Sequence, residues 1–145
     1  MALKISDLSV GDWVEIDHED YGWNPAHINV CGDLGIGVYF KDIDPEEEYD
    51  CTLSQARPIP ITPEILEANG WKKGQRGEFY HYLQLDKNST LYVHASTNGW
   101  RMKITYDAAG ILRTTHLMPN VVSIHQLQHA LRLAGVDKEI VMPKK

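Results

Sequence analysis

The segment Pro58-Ile59-Pro60-Ile61-Thr62-Pro63 constrains this chain more than any other stretch. Proline has no backbone donor and cannot continue a central strand, so β structure on either side must be separate. The same segment starts a helix. Thr62 is a good N-cap, and Pro63 fits the first helical position. Ile61 and Leu66 hold the two positions of a hydrophobic staple. Gly70 suits the left-handed residue past the helix end, with Trp71 folding back on Leu66. The spacing predicts a short helix over 63–69.

Before this divide, Val14 and Ile16 alternate with polar neighbours, as do Ala26, Ile28 and Val30. Residues 36–40 and 49–53 read as further strands, with a turn at Asp44-Pro45-Glu46. Short strands at this spacing predict an SH3-like β-barrel over 1–58. After the divide, 79–85 reads as a strand. Leu91, Val93 and Ala95 alternate with Tyr92 and His94. Asn98-Gly99 is a hairpin signal. Trp100, Met102, Ile104 and Tyr106 then alternate with Arg101, Lys103 and Thr105, and 111–117 is a weaker strand. Ser123 and Gln126 have capping-box spacing, and Ile124, Leu127, Leu131 and Ala134 recur at helical spacing as far as Gly135. The tail 138–142 reads as a short edge strand or an arm. The predicted fold is α+β: the barrel, a short linker helix, and over 59–145 a four-stranded antiparallel sheet packed by a C-terminal helix.

The chain has 145 residues and 43% hydrophobic residues, enough for a core. No apolar run approaches the roughly 18 residues that span a bilayer, and residues 1–7 lack the apolar centre of a secretory signal. A cytoplasmic protein with no membrane partner is expected, with Cys31 and Cys51 as free thiols. The formal net charge is −6, which argues against nucleic acid as a partner, because Lys and Arg on phosphates supply most of that affinity. The basic clusters are Lys72, Lys73 and Arg76, and the pair Lys144 and Lys145. With exposed tryptophans, the first of these offers a nucleic-acid alternative, with binding through the barrel.

The candidate chemistry is sparse. His125 and His129 lie four apart on the predicted last helix, the spacing of a zinc helix, so a metal-dependent hydrolase is one alternative. The glutamate of that motif is missing, and a third ligand would have to come from His116, His94 or Glu48. The plainer reading is a polar stripe with Arg132. The run 42–50 holds six acids. It lacks calcium-loop spacing and reads as a solvated loop, or as a docking surface for a basic partner through Glu46, Glu47 and Glu48. Neither cysteine has an electropositive setting, and no serine has nucleophile-elbow glycines. Gly32 to Gly37 lacks the helix and lysine of a phosphate loop. Tyr80 and Tyr82 share one strand face, and Tyr92 joins them from the next strand. They are core under the helix, or an exposed contact patch. Trp13 and Trp23 carry the same ambiguity.

Three blocks, KISDLSVGDWV, PIPITPEILEANGW and SIHQLQHALRLAG, together resemble a group of uncharacterised small proteins of gut Bacteroides-type bacteria and their phages and prophages. The resemblance spans nearly the whole chain. It implies a shared fold and a phage-associated setting, and carries over no functional residue. The expectation is therefore a non-enzymatic adaptor that binds another protein, with no cofactor.

Overall fold

The proline-rich divide separates two units in the computed structural model, which describes residues 3–74, 80–97 and 99–143, with 116–119 as backbone alone. Met1–Pro60 with Ser123–His125 forms one unit, and Ile61–Val122 with Gln126–Pro143 the other. In chain order the elements are β1 (Trp13–His18), β2 (Gly22–Cys31), β3 (Ile36–Phe40), β4 (Asp44–Cys51), β5 (Ala56–Arg57), α1 (Pro63–Ala68), β6 (Lys72–Lys73), β7 (Tyr80–Gln84), β8 (Ser89–Ser96), β9 (Gly99–Ala108), β10 (Ile111–Val121) and α2 (Ile124–Leu133). The result is α+β in character and mostly β.

The first unit is an antiparallel sheet in the order β4-β3-β2-β1-β5. Val14 and Ile16 are fully buried, as their alternation predicts, with Ala26, Ile28, Val38 and Phe40 in the same core. Each large side chain buried there contributes roughly 1.5–3 kcal/mol. Ahead of β1, the Asp12 carboxylate is fully buried, and its Oδ2 accepts the Ser9 N–H at 2.8 Å. A 3₁₀ turn over Leu53–Gln55 delivers β5 to the side of β1.

Two expectations for this unit are corrected. The sheet is open, because among the described residues no β4–β5 pairing closes it into a barrel. β5 is only two residues long, and Pro58 stops it. The acidic run is not a loop: residues from Asp44 onward form β4, an edge strand paired to β3. The register is anchored at its ends, Phe40↔Asp44 and Val38↔Tyr49 to Ile36↔Cys51, and Glu46, Glu47 and Glu48 fall in the irregularity between them, where poor strand formers cost little.

The second unit is an antiparallel sheet in the order β10-β9-β8-β7-β6. It has five strands where four were expected. The extra strand, Lys72–Lys73, pairs with Tyr82 and His81, and two residues are too few to show a period. Pairing of the hairpin runs as far as Ser96↔Gly99, which puts Gly99 of the expected turn pair at the start of β9; Asn98 lies outside the described residues. Gly99 serves a close approach instead: its φ is +130°, and a Cβ there would come within 2.6 Å of Val122 Cγ1.

The helix ends behave as their residues predict. Thr62 Oγ1 accepts the Ile65 N–H at 3.3 Å. Gly70 turns with φ +87°, and the Trp71 N–H bonds the Leu66 carbonyl at 3.0 Å. Ile61, Leu66 and Trp71 are all buried. On α2, Leu127, Ala130 and Leu131 are buried. Gln126 Oε1 accepts the Val122 N–H at 2.9 Å, one residue before the expected cap.

The tail is neither a strand nor a loose arm. Asn69, buried after α1, clasps it: Nδ2 donates to the Val141 carbonyl at 2.8 Å, and Oδ1 accepts the Val141 N–H at 2.7 Å. The amide thereby replaces a strand partner, and Ile140 and Met142 are buried on either side of it. Nδ2 also donates to the Ile65 carbonyl at 2.8 Å, and Lys138 Nζ reaches the Asn69 carbonyl at 2.8 Å.

Candidate functional site

Strand alternation gives the second sheet two unlike faces. On one, His81, Leu83, Leu91, Val93 and Met102 are buried. Leu83 and Ile104 share a cleft with Ala134 and Val136, which sets the end of α2 on this side. The other face carries the alternate residues: Tyr80 and Tyr82 on β7, Tyr92 and His94 on β8, Arg101 and Lys103 on β9. All four rings are half-buried, so the tyrosines are neither core nor fully exposed.

Register aligns these side chains in rows. Lys72, Tyr82, Tyr92 and Lys103 face one another across four strands. The adjoining row is Tyr80, His94 and Arg101, and on the other side lie Gln84, Thr90 and Thr105. Ring centroids are 5.3 Å apart for Tyr80–His94, 5.9 Å for Tyr80–Tyr92, 6.2 Å for Tyr92–His94 and 6.3 Å for Tyr82–Tyr92. Interplanar angles run from 28° to 52°, so no ring presents only its edge to another. Lys103 Nζ lies 5.4 Å above the Tyr92 ring. Among the described residues no ion pair engages Lys72, Arg101 or Lys103. The nearest acid of like parity is Asp107, two rows beyond Lys103 at the turn end of β9.

The charge follows the division of the chain. Residues 1–60 hold three Lys or Arg against thirteen Asp or Glu, a net −10. Residues 61–145 hold eleven against seven, a net +4. Whole-chain charge conceals this asymmetry. Together with the i, i+2 spacing of Arg101 and Lys103, it is the signal that could have added Lys72, His94, Arg101 and Lys103 to the three tyrosines.

The remaining candidates do not converge. Glu46, Glu47 and Glu48 are exposed on edge strand β4, where like charges repel another sheet edge. Glu48 Oε2 accepts weakly from Asn29 Nδ2 at 3.4 Å. His125 is buried, its Nδ1 3.1 Å from Ser123 Oγ, so it is no part of a solvated stripe; His129 is half-buried. Among the described residues no three His, Cys, Asp or Glu side chains gather as metal ligands. The side chain of His116 lies outside the described residues, as does Arg76.

Trp13 is buried against His27, with ring centroids 3.7 Å apart. Arg57 lies over the Trp23 ring at 4.0 Å, which occupies that indole. Burial lowers His27 to about 4 and raises the Cys51 thiol to about 11, and the Cys31 thiol is also raised by burial. Both thiols are therefore held in their unreactive form at neutral pH. A third ring cluster, His18, Tyr21, Phe40 and Tyr49, has centroids 4.4–6.1 Å apart and, among the described residues, is not flanked by cations in register as the second sheet's rings are.

Among the described residues, no helix is long and apolar enough to cross a membrane. No protein-family model, curated protein or solved structure matches the chain.

Proposed function

We propose that this chain is a non-enzymatic binding module and that its working surface is the half-exposed face of the second sheet around Tyr80, Tyr82, Tyr92 and His94. One observation carries the reading. Four rings lie in adjoining rows, bordered by Lys72, Arg101 and Lys103, on the side of the sheet away from its buried residues. Half-buried aromatics keep a large apolar area available while their polar tips stay wet, which suits recognition more than folding.

The strand order of the first unit, with a 3₁₀ turn ahead of β5, supports the finer description of that unit as SH3-like. That is an analogy of fold and assigns no ligand.

The test compares the immobilised chain with the Tyr82→Leu/Tyr92→Leu variant in bacterial lysate. Leucine keeps apolar strand contacts and removes the π faces. The expected result is a macromolecule retained by the parent and lost by a variant of unchanged melting temperature. Identical retention by both proteins would remove this face from the function.

A further inference from the structure

We infer that the ligand of this face is single-stranded nucleic acid, its bases stacked on Tyr80, Tyr82, Tyr92 and His94 and its phosphates drawn to Lys72, Arg101 and Lys103. The inference rests on the preceding reading of the face as the binding surface and names the class of ligand.

Charge is the first argument. Residues 61–145 carry a net +4, and within them the two ring rows hold cations and no carboxylate among the described residues. Charge neutralisation at phosphates supplies most non-specific nucleic-acid affinity. The net −10 of residues 1–60 repels a polyanion, so a strand is confined to the second unit.

Ring spacing is the second. Centroid separations of 5.3–6.3 Å are about 1.6 to 1.9 times the roughly 3.4 Å rise of a stacked strand. A strand following the rows would present one base to each ring rather than intercalate several. Every base has a π face, so such stacking tolerates any sequence. A duplex keeps its base faces inside the helix and cannot use the rings, and sheet-borne aromatics read splayed, unpaired bases for the same reason.

Composition is the third. The central row ends in a lysine on each side, Lys72 and Lys103, which sets a cation at either flank of the paired rings. The next row, Gln84, Thr90 and Thr105, offers amide and hydroxyl groups to sugar and phosphate. A basic-aromatic face with a polar margin fits a strand of nucleotides better than the apolar centre of a protein partner.

The experiment measures fluorescence anisotropy of labelled oligothymidylate and oligouridylate about 15 nucleotides long, and of a matching duplex, with the full chain. Three phosphate contacts predict a log–log salt slope of about −2, or about 20-fold weaker binding at 200 mM than at 50 mM salt. The single strand should bind at least about 10-fold tighter than the duplex, with one or two stacked bases deciding the difference. Tyr82→Leu/Tyr92→Leu, at unchanged melting temperature, should lose about 10-fold or more. Lys72→Gln/Lys103→Gln should flatten the salt slope from about −2 to about −0.7.

No binding at the lower salt overturns the inference. So does equal affinity for duplex, or an unaffected tyrosine variant, since either would mean plain charge attraction. If oligonucleotides fail while lysate retention still depends on Tyr82 and Tyr92, the ligand class is wrong and the binding face stands. If both fail, the face has no binding role.

Discussion

The two sheets share a plan and differ in what they show to solvent. Each is antiparallel, five-stranded and buried on one side. The first presents an acidic edge, with Glu46, Glu47 and Glu48 on β4. The second presents Tyr80, Tyr82, Tyr92 and His94 among cations. A sheet edge rich in like charge discourages pairing, whereas a face of half-buried rings attracts flat ligands. A single net charge of −6 averages these opposites and describes neither.

The comparison breaks most visibly if the central row is erased. Lys72→Gln, Tyr82→Leu, Tyr92→Leu and Lys103→Gln together should weaken oligonucleotide binding by about 100-fold, or ~3 kcal/mol, as stacking and phosphate terms vanish together. Anisotropy titration at low salt checks it. A loss smaller than a few-fold would mean that the face is merely solvated surface.

Asn69→Ala tests whether the second unit depends on its polar clasp. The change leaves the Val141 N–H and carbonyl without the Asn69 amide. Each hydrogen bond lost contributes about 0.5–1.5 kcal/mol, so urea unfolding should show a loss of about 1–3 kcal/mol. Val14→Ala in the first unit, a change of purely apolar volume, gives the matching measure for the other core.

The first unit should respond to acid through His27. Its folded pKa is lowered to about 4 by burial, Lys41 adding to the lowering and Asp42 opposing it. The unfolded chain takes up the proton near 6.5. The stability this neutral ring protects is therefore whole above pH 6.5 and is lost as pH falls towards 4. Relative to His27→Phe, the parent should lose about 2 kcal/mol between pH 7.5 and 4.5. Parallel curves for the two proteins would show that His27 is more solvated than its contact with Trp13 implies.

The smallest effect belongs to the acidic edge. Glu46→Gln/Glu48→Gln should change stability by less than about 0.5 kcal/mol. Oligonucleotide affinity should be unchanged at high salt, where screening acts within about 3–10 Å. Loss of a retained lysate protein in this variant would instead make the edge a docking surface.

Much of the architecture is legible in the residues. Pro58, Pro60, Thr62, Pro63 and Gly70 mark the divide and α1 because each acts on its own backbone. Val14 and Ile16 reveal their buried face by period alone. The elements that escape are those set by partners distant in sequence. Ala56–Arg57 and Lys72–Lys73 are too short to show alternation and become strands only by pairing. The acidic run joins β4 because residues at its two ends, Asp44 and Tyr49 to Cys51, pair with β3. Gly99 enters β9 beside Val122, where a Cβ would not fit. The candidate site is half legible: Tyr80, Tyr82 and Tyr92 follow from strand parity. Their alignment with Lys72, His94, Arg101 and Lys103 needs the cross-strand register, which no local pattern states.

The most direct measurement is an amide ¹H–¹⁵N spectrum of the full chain titrated with oligothymidylate. The account predicts progressive shifts at residues 80–84, 90–96 and 101–105, with those of 44–51 unmoved. Shifts centred on β4, or none anywhere at saturating oligonucleotide, would contradict it.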